Sequence, residues 1–313
     1  MIVTPALAAA NNGNWQTARR WAALLRGHYR VSLTAAWDGQ PADAMLALHA
    51  RRSAASVQAW RAAHPHGPLA VVLTGTDLYE DIAHDTDARQ SLASADRLVV
   101  LQPRGVSALP APLRHKAVVC IQSSPGRQAV AKPARHLRAL MVGHLREVKS
   151  PETWFAAARA LRHRTDIRLD HIGAALDPAL AEAARQCMTE CPSYRWLGAL
   201  PHAATRRRIQ HAHLLVHPSR LEGGAHVVIE AVTSGTPVLA SRIDGNLGLL
   251  GDDYAGCFDW GDAAALAALV QRCRDDPAML PTLWAQCLER APLFTPAHEQ
   301  AVLLGLMRSL LET

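Results

Sequence analysis

One stretch of the chain, HLLVHPSRLEGGAHVVIEAVTSGTPVLASRIDGNLGLL from His213 to Leu250, constrains the fold more than any other. It opens with an apolar run and passes through a loop that contains Gly223 and Gly224. Apolar residues at helical spacing follow, and Gly235 precedes a second apolar run. A strand, a glycine-rich loop, a helix and another strand form an α/β crossover. The stretch therefore predicts a parallel sheet that is covered by helices.

The rest of the chain repeats this alternation in two series. Short apolar runs predict six strands in the first series, and a segment with Pro and Gly at 123–135 predicts a linker before the second. We therefore predict an α/β fold of two Rossmann-like domains that face a cleft. The predicted units are an acceptor domain at 1–130, a nucleotide-sugar domain at 136–292, and a C-terminal helix at 293–313 that packs back toward the first domain.

Composition and charge limit the class of protein. The 313 residues are 49% hydrophobic, which is enough for a large core. The formal net charge of +6 fits either a basic surface or an anionic small substrate. Nucleic acid is disfavoured because no basic run is interleaved with aromatic residues. The first loop also lacks the GxGxxG pattern, which weakens an NAD-dependent interpretation.

Cysteine spacing and hydropathy exclude further classes. None of the six cysteines forms a CxxC pair, so we expect reduced, buried thiols, no metal and no cofactor. No apolar run approaches 18 residues, and the N-terminus lacks a signal-peptide pattern. We therefore expect a cytoplasmic protein that does not contact a membrane. The oligomeric state is left open.

Two carboxylates flank the predicted loop-to-helix junction. Glu222 lies in the loop with Gly223 and Gly224, and Glu230 lies one turn into the helix. The helix start at Ala225-His226 would offer free backbone N–H groups to a diphosphate. Glu230 would accept both hydroxyls of a ribose, and Glu222 would reach a sugar. Two solvated surface carboxylates are the alternative.

A second segment, VGHLREVK, ends a predicted strand and opens a helix. Its cations, Arg146 and Lys149, would neutralise a diphosphate leaving group. A solvated helix start is the alternative interpretation.

Together these segments resemble the retaining GT-B glycosyltransferases of glycosyltransferase family 4. VGHLREVK stands where the family has a Gly-Arg-Leu…Lys segment, and HPSRLEGGAHVVIEAVTSGTPVLAS stands for its Pro-Ser…Glu-Gly…Glu-Ala…Gly-x-Pro-Val segment. The resemblance implies a nucleoside-diphosphate-sugar donor, and it implies that Arg146, Lys149 and Glu222 are catalytic. His144 departs from the family because arginine is usual there. The predicted donor-binding set is His144, Arg146, Lys149, Leu197, Glu222, Gly223, Gly224, Ala225, His226 and Glu230.

A narrower resemblance covers nearly the whole chain. The segments ALHARRSAASV, LTGTDLYEDI, VGHLREVKSP and GNLGLLGDDYAG look like those of SenB-type selenosugar synthases of selenoneine biosynthesis. This resemblance implies that a UDP-sugar, with UDP-N-acetylglucosamine expected, reacts with selenophosphate to give a 1-seleno-sugar. A selenium nucleophile is already anionic, so no strong general base is required. No Asp-x-Asp metal motif is apparent, and we therefore expect metal independence, with UDP-sugar as a substrate and not a cofactor.

A compact anion such as selenophosphate needs a polar, cationic pocket in the first domain. Polar residues follow the first, third and fourth predicted strands, at the sheet edge where α/β proteins bind ligands. A solvated helix start for the arginine pair and an N-cap for the Thr-Asp pair are open alternatives. The predicted acceptor-binding residues are Asn12, Gly13, Asn14, His49, Arg51, Arg52, Thr74, Thr76 and Asp77.

Two rival functions remain open from the sequence. An ordinary glycosyltransferase acting on a hydroxyl would need a general base and a roomier acceptor pocket. A non-catalytic sugar-nucleotide-binding protein would not need the complete set of Lys149, Glu222 and Glu230.

Overall fold

The computed structural model describes residues 1–7 and 13–312. The described chain forms two compact units. The first unit comprises Met1–Ser123, Glu222–His226 and Leu293–Thr313, and the second comprises Ser124–Leu221 and Val227–Pro292. Each unit is built around one six-stranded parallel sheet. The segment Glu222–His226 therefore groups with the first unit, although its neighbours in sequence lie in the second.

The first unit has the strand order β2-β1-β3-β4-β5-β6. Its strands are Ile2–Val3 (β1), Leu33–Thr34 (β2), Met45–Leu48 (β3), Leu69–Leu73 (β4), Arg97–Val100 (β5) and Ala117–Val119 (β6). Its first helices are Gly13–Leu25 (α1), Ala54–Ala63 (α2), Ile82–His84 (α3), Thr86–Ser94 (α4) and Gly105–Ala108 (α5), with a π-helical turn at Asp77–Asp81 and a 3₁₀ turn at Ala111–Lys116.

The second unit has the strand order β12-β11-β10-β7-β8-β9. Its strands are Leu137–Val142 (β7), Ile167–Ile172 (β8), Tyr194–Trp196 (β9), Leu214–His217 (β10), Val238–Ser241 (β11) and Cys257–Phe258 (β12). Its helices are Pro151–Ala160 (α6), Pro178–Glu190 (α7), His202–His211 (α8), His226–Val232 (α9), Asp244–Leu250 (α10), Ala263–Asp275 (α11) and Met279–Arg290 (α12), with a 3₁₀ turn at Glu147–Lys149.

The chain ends with a 3₁₀ turn at Ala291–Phe294 and the helix Pro296–Leu311 (α13). Within the first unit, α13 packs on the same core as α1, and both contribute buried residues such as Trp21 and Leu303. The other face of the first sheet packs against α2 and α4 through Trp60 and Leu92. Both faces are buried, which explains why the strands are continuous apolar runs.

Two predicted elements are wrong in detail. The sequence over 31–35 predicts a five-residue strand, but the strand spans only Leu33–Thr34, because this edge strand pairs only with the two-residue strand β1. The sequence over 83–92 predicts one continuous helix, but the helix breaks at Asp85, whose backbone is extended and whose carboxylate accepts the N–H of Ala88 at 2.8 Å. That carboxylate starts α4 as an N-cap.

Candidate functional site

The strand order places a ligand-binding edge in each sheet. In the second sheet β7 and β10 are neighbours. The chain passes from β7 to β8 toward one edge of the sheet, and from β10 to β11 toward the other edge. Such a switch in strand order opens a crevice at the carboxyl ends of the two strands. The loops that follow β7 and β10 carry VGHLREVK and HPSR, so two predicted donor-site segments meet there.

The loop after β7 is held by a close backbone contact between two glycines. A Cβ added to Gly173 would lie 1.8 Å from the carbonyl oxygen of Gly143. The buried His171 donates from Nε2 to that same carbonyl at 3.0 Å, and its Nδ1 lies 3.0 Å from the Tyr194 hydroxyl. Burial lowers the pKa of His171 to about 4. The ring is therefore neutral. It donates to the carbonyl of Gly143 and accepts from the hydroxyl of Tyr194, and these two bonds hold the loop in place.

Lys149 ends the short turn that follows this loop. Its aliphatic stem lies over Gly143, where an added Cβ would be 3.6 Å from its Cβ and Cγ. The carbonyl of Val148 accepts the N–H of Arg220 at 2.9 Å, which ties the turn to the loop after β10. Ser150 follows with a left-handed φ of 46° and accepts a 2.8 Å hydrogen bond from Trp260 Nε1. The ammonium group is thus carried by a backbone that is anchored on both sides.

The loop after β10 is itself braced from α10. The Ser241 hydroxyl donates to the carbonyl of Ser219 at 2.5 Å, and Asn246 Nδ2 donates to the Ser241 carbonyl at 2.9 Å. Asn246 is fully buried. Neither this helix nor the bracing role of Asn246 was predicted from the sequence.

The other predicted residues near Lys149 are more exposed. Arg146 is exposed at the start of the Glu147–Lys149 turn. His144 is exposed too, although its Nδ1 accepts the N–H of Ala174 at 3.0 Å. Partial burial lowers the pKa of His144, and the positive charges of Arg146 and Lys149 lower it further. His144 therefore does not supply the positive charge of the arginine that it replaces.

Glu230 lies on α9 and is buried, with a partner that the sequence analysis missed. His202, which begins α8, donates from Nε2 to Glu230 Oε1 at 2.6 Å. The buried Arg206 guanidinium lies 3.9 Å from the same oxygen and also contacts Ser124 and Ser234. Only the structure reveals this pairing, because 28 residues separate His202 from Glu230 in sequence. Leu197 is half-buried in the loop after β9.

The segment Glu222–His226 packs on the first unit. A Cβ on Gly223 would lie 2.4 Å from the carbonyl oxygen of Thr74, and one on Gly224 would lie 2.7 Å from the Cβ of Leu101. The close backbone approach that these glycines permit is therefore made to the chain itself in this structure. Ala225 is buried, and His226 Nε2 lies 3.2 Å from Arg20 Nη1. Helix α9 is only seven residues long, so its dipole is a weak anchor for a diphosphate.

Several predicted acceptor residues of the first unit follow β3 and β4, next to the switch in strand order between β1 and β3. His49 is buried with a left-handed φ of 71°, and its Nε2 lies 3.3 Å from the Thr76 hydroxyl. Burial lowers the pKa of His49; nearby Asp77 and Asp81 oppose the shift. A strained, buried imidazole at a sheet edge is typical of a binding site.

Two carboxylates near His49 have different roles. Asp77 is fully buried, and its oxygens accept the N–H groups of Ala50, Thr74 and Gly75 at 2.8–3.0 Å. It joins the loops after β3 and β4 and has little capacity left for a ligand. Asp81 instead pairs with the exposed Arg51 at 3.0 Å.

The remaining predicted acceptor residues are Arg52 and three residues of the first loop. Arg52 is exposed. Gly13 and Asn14 form the first turn of α1, where Thr17 donates to the Gly13 carbonyl at 3.0 Å. Asn12 lies outside the described residues. These positions stay predictions.

The described residues contain no cluster of metal ligands. In the described part of the chain, no group of three His, Cys, Asp or Glu side chains could hold a metal ion. The sequence contains an Asp-x-Asp triplet at 85–87, but Asp85 caps α4. Five of the six cysteines are buried, and all six are free. Across residues 1–7 and 13–312, no helix has the length and hydropathy that a bilayer crossing requires.

Comparison with known proteins gives one family and several structural relatives. Residues 124–286 match the family described as glycosyl transferases group 1. The D-inositol 3-phosphate glycosyltransferase 1 of Catenulispora acidiphila is 34% identical over 113 residues, which cover 36% of this chain and 27% of that protein. The chain thus spans about a quarter of that relative.

Two solved structures share the fold. HepE of Anabaena, in complex with UDP and glucose, has a TM-score of 0.70 at 15% identity, covering 96% of this chain and 90% of HepE. A TarM mutant of S. aureus, in complex with fondaparinux, alpha-GlcNAc-glycerol and UDP, has a TM-score of 0.68 at 12% identity, covering 85% of this chain and 56% of TarM. With the two parallel-sheet α/β units, these neighbours confirm the predicted GT-B fold.

Proposed function

Because this chain belongs to the glycosyl transferases group 1 family, we propose that it transfers a sugar from a UDP-sugar to selenophosphate and forms a 1-seleno-sugar for selenoneine biosynthesis. The observation that carries the sugar-transfer part of the proposal is the family match over residues 124–286, within which Lys149 is fixed at the switch between β7 and β10. UDP-N-acetylglucosamine is the expected donor.

The donor half of the proposal rests on the second unit. Lys149 would neutralise the diphosphate, and Glu230 would accept the ribose hydroxyls while His202 orients its carboxylate. The complexes of HepE with UDP and glucose and of TarM with UDP support a uridine nucleotide. A carboxylate oxygen has two lone pairs, so Glu230 can keep its bond to His202 when it binds a ribose.

This arrangement makes His202 a testable positioning residue. His202→Ala should weaken UDP binding by roughly three- to tenfold, the value of one hydrogen bond that orients a carboxylate. Isothermal titration calorimetry with UDP measures the change. His211→Ala, which removes an exposed imidazole from the other end of the same helix, should leave the affinity unchanged. If the two variants bind UDP with equal affinity, His202 has no role in the proposed donor site.

The acceptor half of the proposal rests on the resemblance of the first domain to selenosugar synthases. Selenophosphate is a compact anion, and His49, Thr76 and Arg51 offer hydrogen-bond donors of suitable size beside one sheet edge. Since Asp77 is used by three backbone N–H groups, we assign it to shaping the loops and not to binding the acceptor.

The proposed reaction breaks the bond between carbon 1 of the sugar and the UDP oxygen, and forms a bond between carbon 1 and the selenium of selenophosphate. The electron pair of the carbon–oxygen bond leaves with UDP, and Lys149 and Arg146 stabilise the added charge on the diphosphate. Water then hydrolyses the selenium–phosphorus bond, which gives the 1-seleno-sugar and inorganic phosphate. A selenium nucleophile is already anionic, so the step needs no general base. We propose that it needs no metal or other cofactor, because Lys149 and Arg146 would neutralise the diphosphate.

The direct test mixes the pure protein with UDP-N-acetylglucosamine and selenophosphate. Mass spectrometry should detect a sugar product that carries the selenium isotope pattern, in step with UDP release. The same reaction in EDTA should proceed at an equal rate. No selenium-containing product, with turnover of a hydroxyl acceptor instead, would overturn the acceptor and leave the donor assignment standing.

One observation favours a second candidate. The relative from Catenulispora acidiphila is named for D-inositol 3-phosphate, a phosphorylated polyol. Transfer to a phosphorylated hydroxyl acceptor is therefore the rival to include in the same assay.

A further inference from the structure

A cavity of about 260 Å³ lies at the amino-terminal edge of the second sheet, the edge opposite to the loops that carry Lys149. Its wall is formed by the chain just before β7, by His213 just before β10, and by the junction of α11 with α12. No part of the proposed donor or acceptor site lines it. Its chemistry is therefore separate from the proposed function.

His136, in the wall of this cavity, lacks the contacts that a buried polar side chain normally makes. The residue is only 4% exposed, yet neither ring nitrogen has a hydrogen-bond partner among residues 1–7 and 13–312. Its ring packs edge-on against His213, with centroids 6.1 Å apart. Burying an imidazole without a partner costs free energy, and buried polar groups are rarely left unpaired without a reason.

The neighbouring imidazole does not share this feature. His213 accepts the N–H of Arg138 through Nδ1 at 2.9 Å and donates from Nε2 to the carbonyl of Pro133 at 3.0 Å. Burial lowers the pKa of His213 to about 4, so it stays neutral. His213 is a satisfied structural residue, whereas His136 has both nitrogens to offer.

Positive charge surrounds the His136 ring. Burial lowers its pKa, and the charges of Arg168, Arg138, Arg135 and Arg274 lower it further. Arg274 lines the cavity and is held there by the carbonyl of Ala134 at 2.9 Å and by Asp166 at 2.7 Å.

Two more charged residues line the cavity. Lys132 is the second cation, and burial lowers its pKa to about 8. Asp276 also lines the cavity, but its carboxylate accepts the N–H of Ala278 at 2.9 Å and pairs with Arg272 at 3.4 Å. The balance of the wall is positive, and an anion in the cavity would favour the charged forms of both His136 and Lys132.

We propose that this cavity binds a phosphate-type oxyanion, with His136 donating a hydrogen bond to it and Lys132 and Arg274 supplying positive charge. The volume exceeds that of a bare phosphate and leaves room for bound water or the rest of a small phosphate ester. The site joins the linker before β7 to α11 and α12, so a bound anion would stabilise the second unit.

The test titrates inorganic phosphate into the protein at constant ionic strength, with and without saturating UDP. The wild type should show a phosphate-dependent rise in melting temperature that UDP does not abolish. His136→Ala should weaken phosphate binding by about tenfold, the value of one charge-assisted hydrogen bond, and His136→Gln should lie between. A parallel titration with glycerol 3-phosphate distinguishes a phosphate ester from the free anion by which of the two binds more tightly.

His66→Ala is the matched control, because it removes an exposed imidazole from the first unit. It should bind phosphate as the wild type does. Nuclear magnetic resonance of the histidine side chains adds a second readout: phosphate should raise the pKa of His136. Equal phosphate affinity in the wild type and His136→Ala, or a response no larger than that to chloride, would overturn the proposal.

Discussion

Replacing Lys149 with methionine should lower kcat by roughly 100- to 1000-fold, because one preorganised charge at a departing diphosphate contributes that much to catalysis. Methionine keeps an apolar side chain that can lie over Gly143 as the lysine stem does. Folding should therefore change little, and the loss should lie in the chemical step. The measurement is UDP release from UDP-N-acetylglucosamine with saturating selenophosphate.

Arg162→Met is the control for this variant. It removes an exposed cation of the same unit, near the end of α6. Its kcat should stay within about twofold of the wild type, since distant exposed charges are screened by salt. A Lys149→Met enzyme with normal kcat would show that another group neutralises the leaving diphosphate, with Arg146 the next to substitute.

Replacing Gly173 with alanine should destabilise the second unit by roughly 2–3 kcal/mol and impair the donor site as well. The added Cβ would lie 1.8 Å from the carbonyl oxygen of Gly143 and 2.9 Å from the Cα of His144. These are backbone atoms, so the strain can be relieved only by moving the loop that leads to Lys149. Chemical denaturation measures the loss of stability, and UDP titration measures the loss of the site.

Gly305→Ala is the matched glycine control. Gly305 lies within α13, and an added Cβ there meets no atom within 4 Å. Alanine should therefore stabilise the protein by about 0.5–1 kcal/mol, because it restricts the unfolded chain and favours the helix. The glycine-to-alanine substitution should therefore lower the free energy of unfolding at Gly173 and raise it at Gly305. A Gly173→Ala protein as stable as the wild type would contradict the backbone contact described for the second unit.

The strands could be predicted from the sequence because both faces of each parallel sheet are buried. Such strands are continuous apolar runs, as in Leu69–Leu73 and Leu214–His217. Helix α10 could not be predicted in this way. Its sequence, DGNLGLL, contains two glycines and has low helix propensity. It forms because burial of Leu247 and Leu249 and the bonds of Asn246 compensate for that propensity.

The candidate site also contains residues that the sequence suggests and residues that only the structure reveals. Motif spacing and the family resemblance select Lys149 and Glu230 as candidates, and their roles in the site stay predictions. The partner of Glu230 could not be found from spacing, since His202 is supplied by a different helix. The role of Asp77 could not be predicted from the sequence either. A carboxylate that binds a ligand and one that joins two loops have the same sequence signature, and only the three backbone N–H contacts distinguish them.

Titration of UDP by calorimetry into the wild type and Glu230→Ala tests the proposed donor site most directly. Glu230 would form two hydrogen bonds to the ribose as a charged acceptor, so its removal should weaken UDP binding by roughly 100-fold. Glu182→Ala, which removes an exposed carboxylate of α7 in the same unit, should bind UDP as the wild type does. A wild type that does not bind UDP, or a Glu230→Ala protein with unchanged affinity, would contradict the proposed donor site.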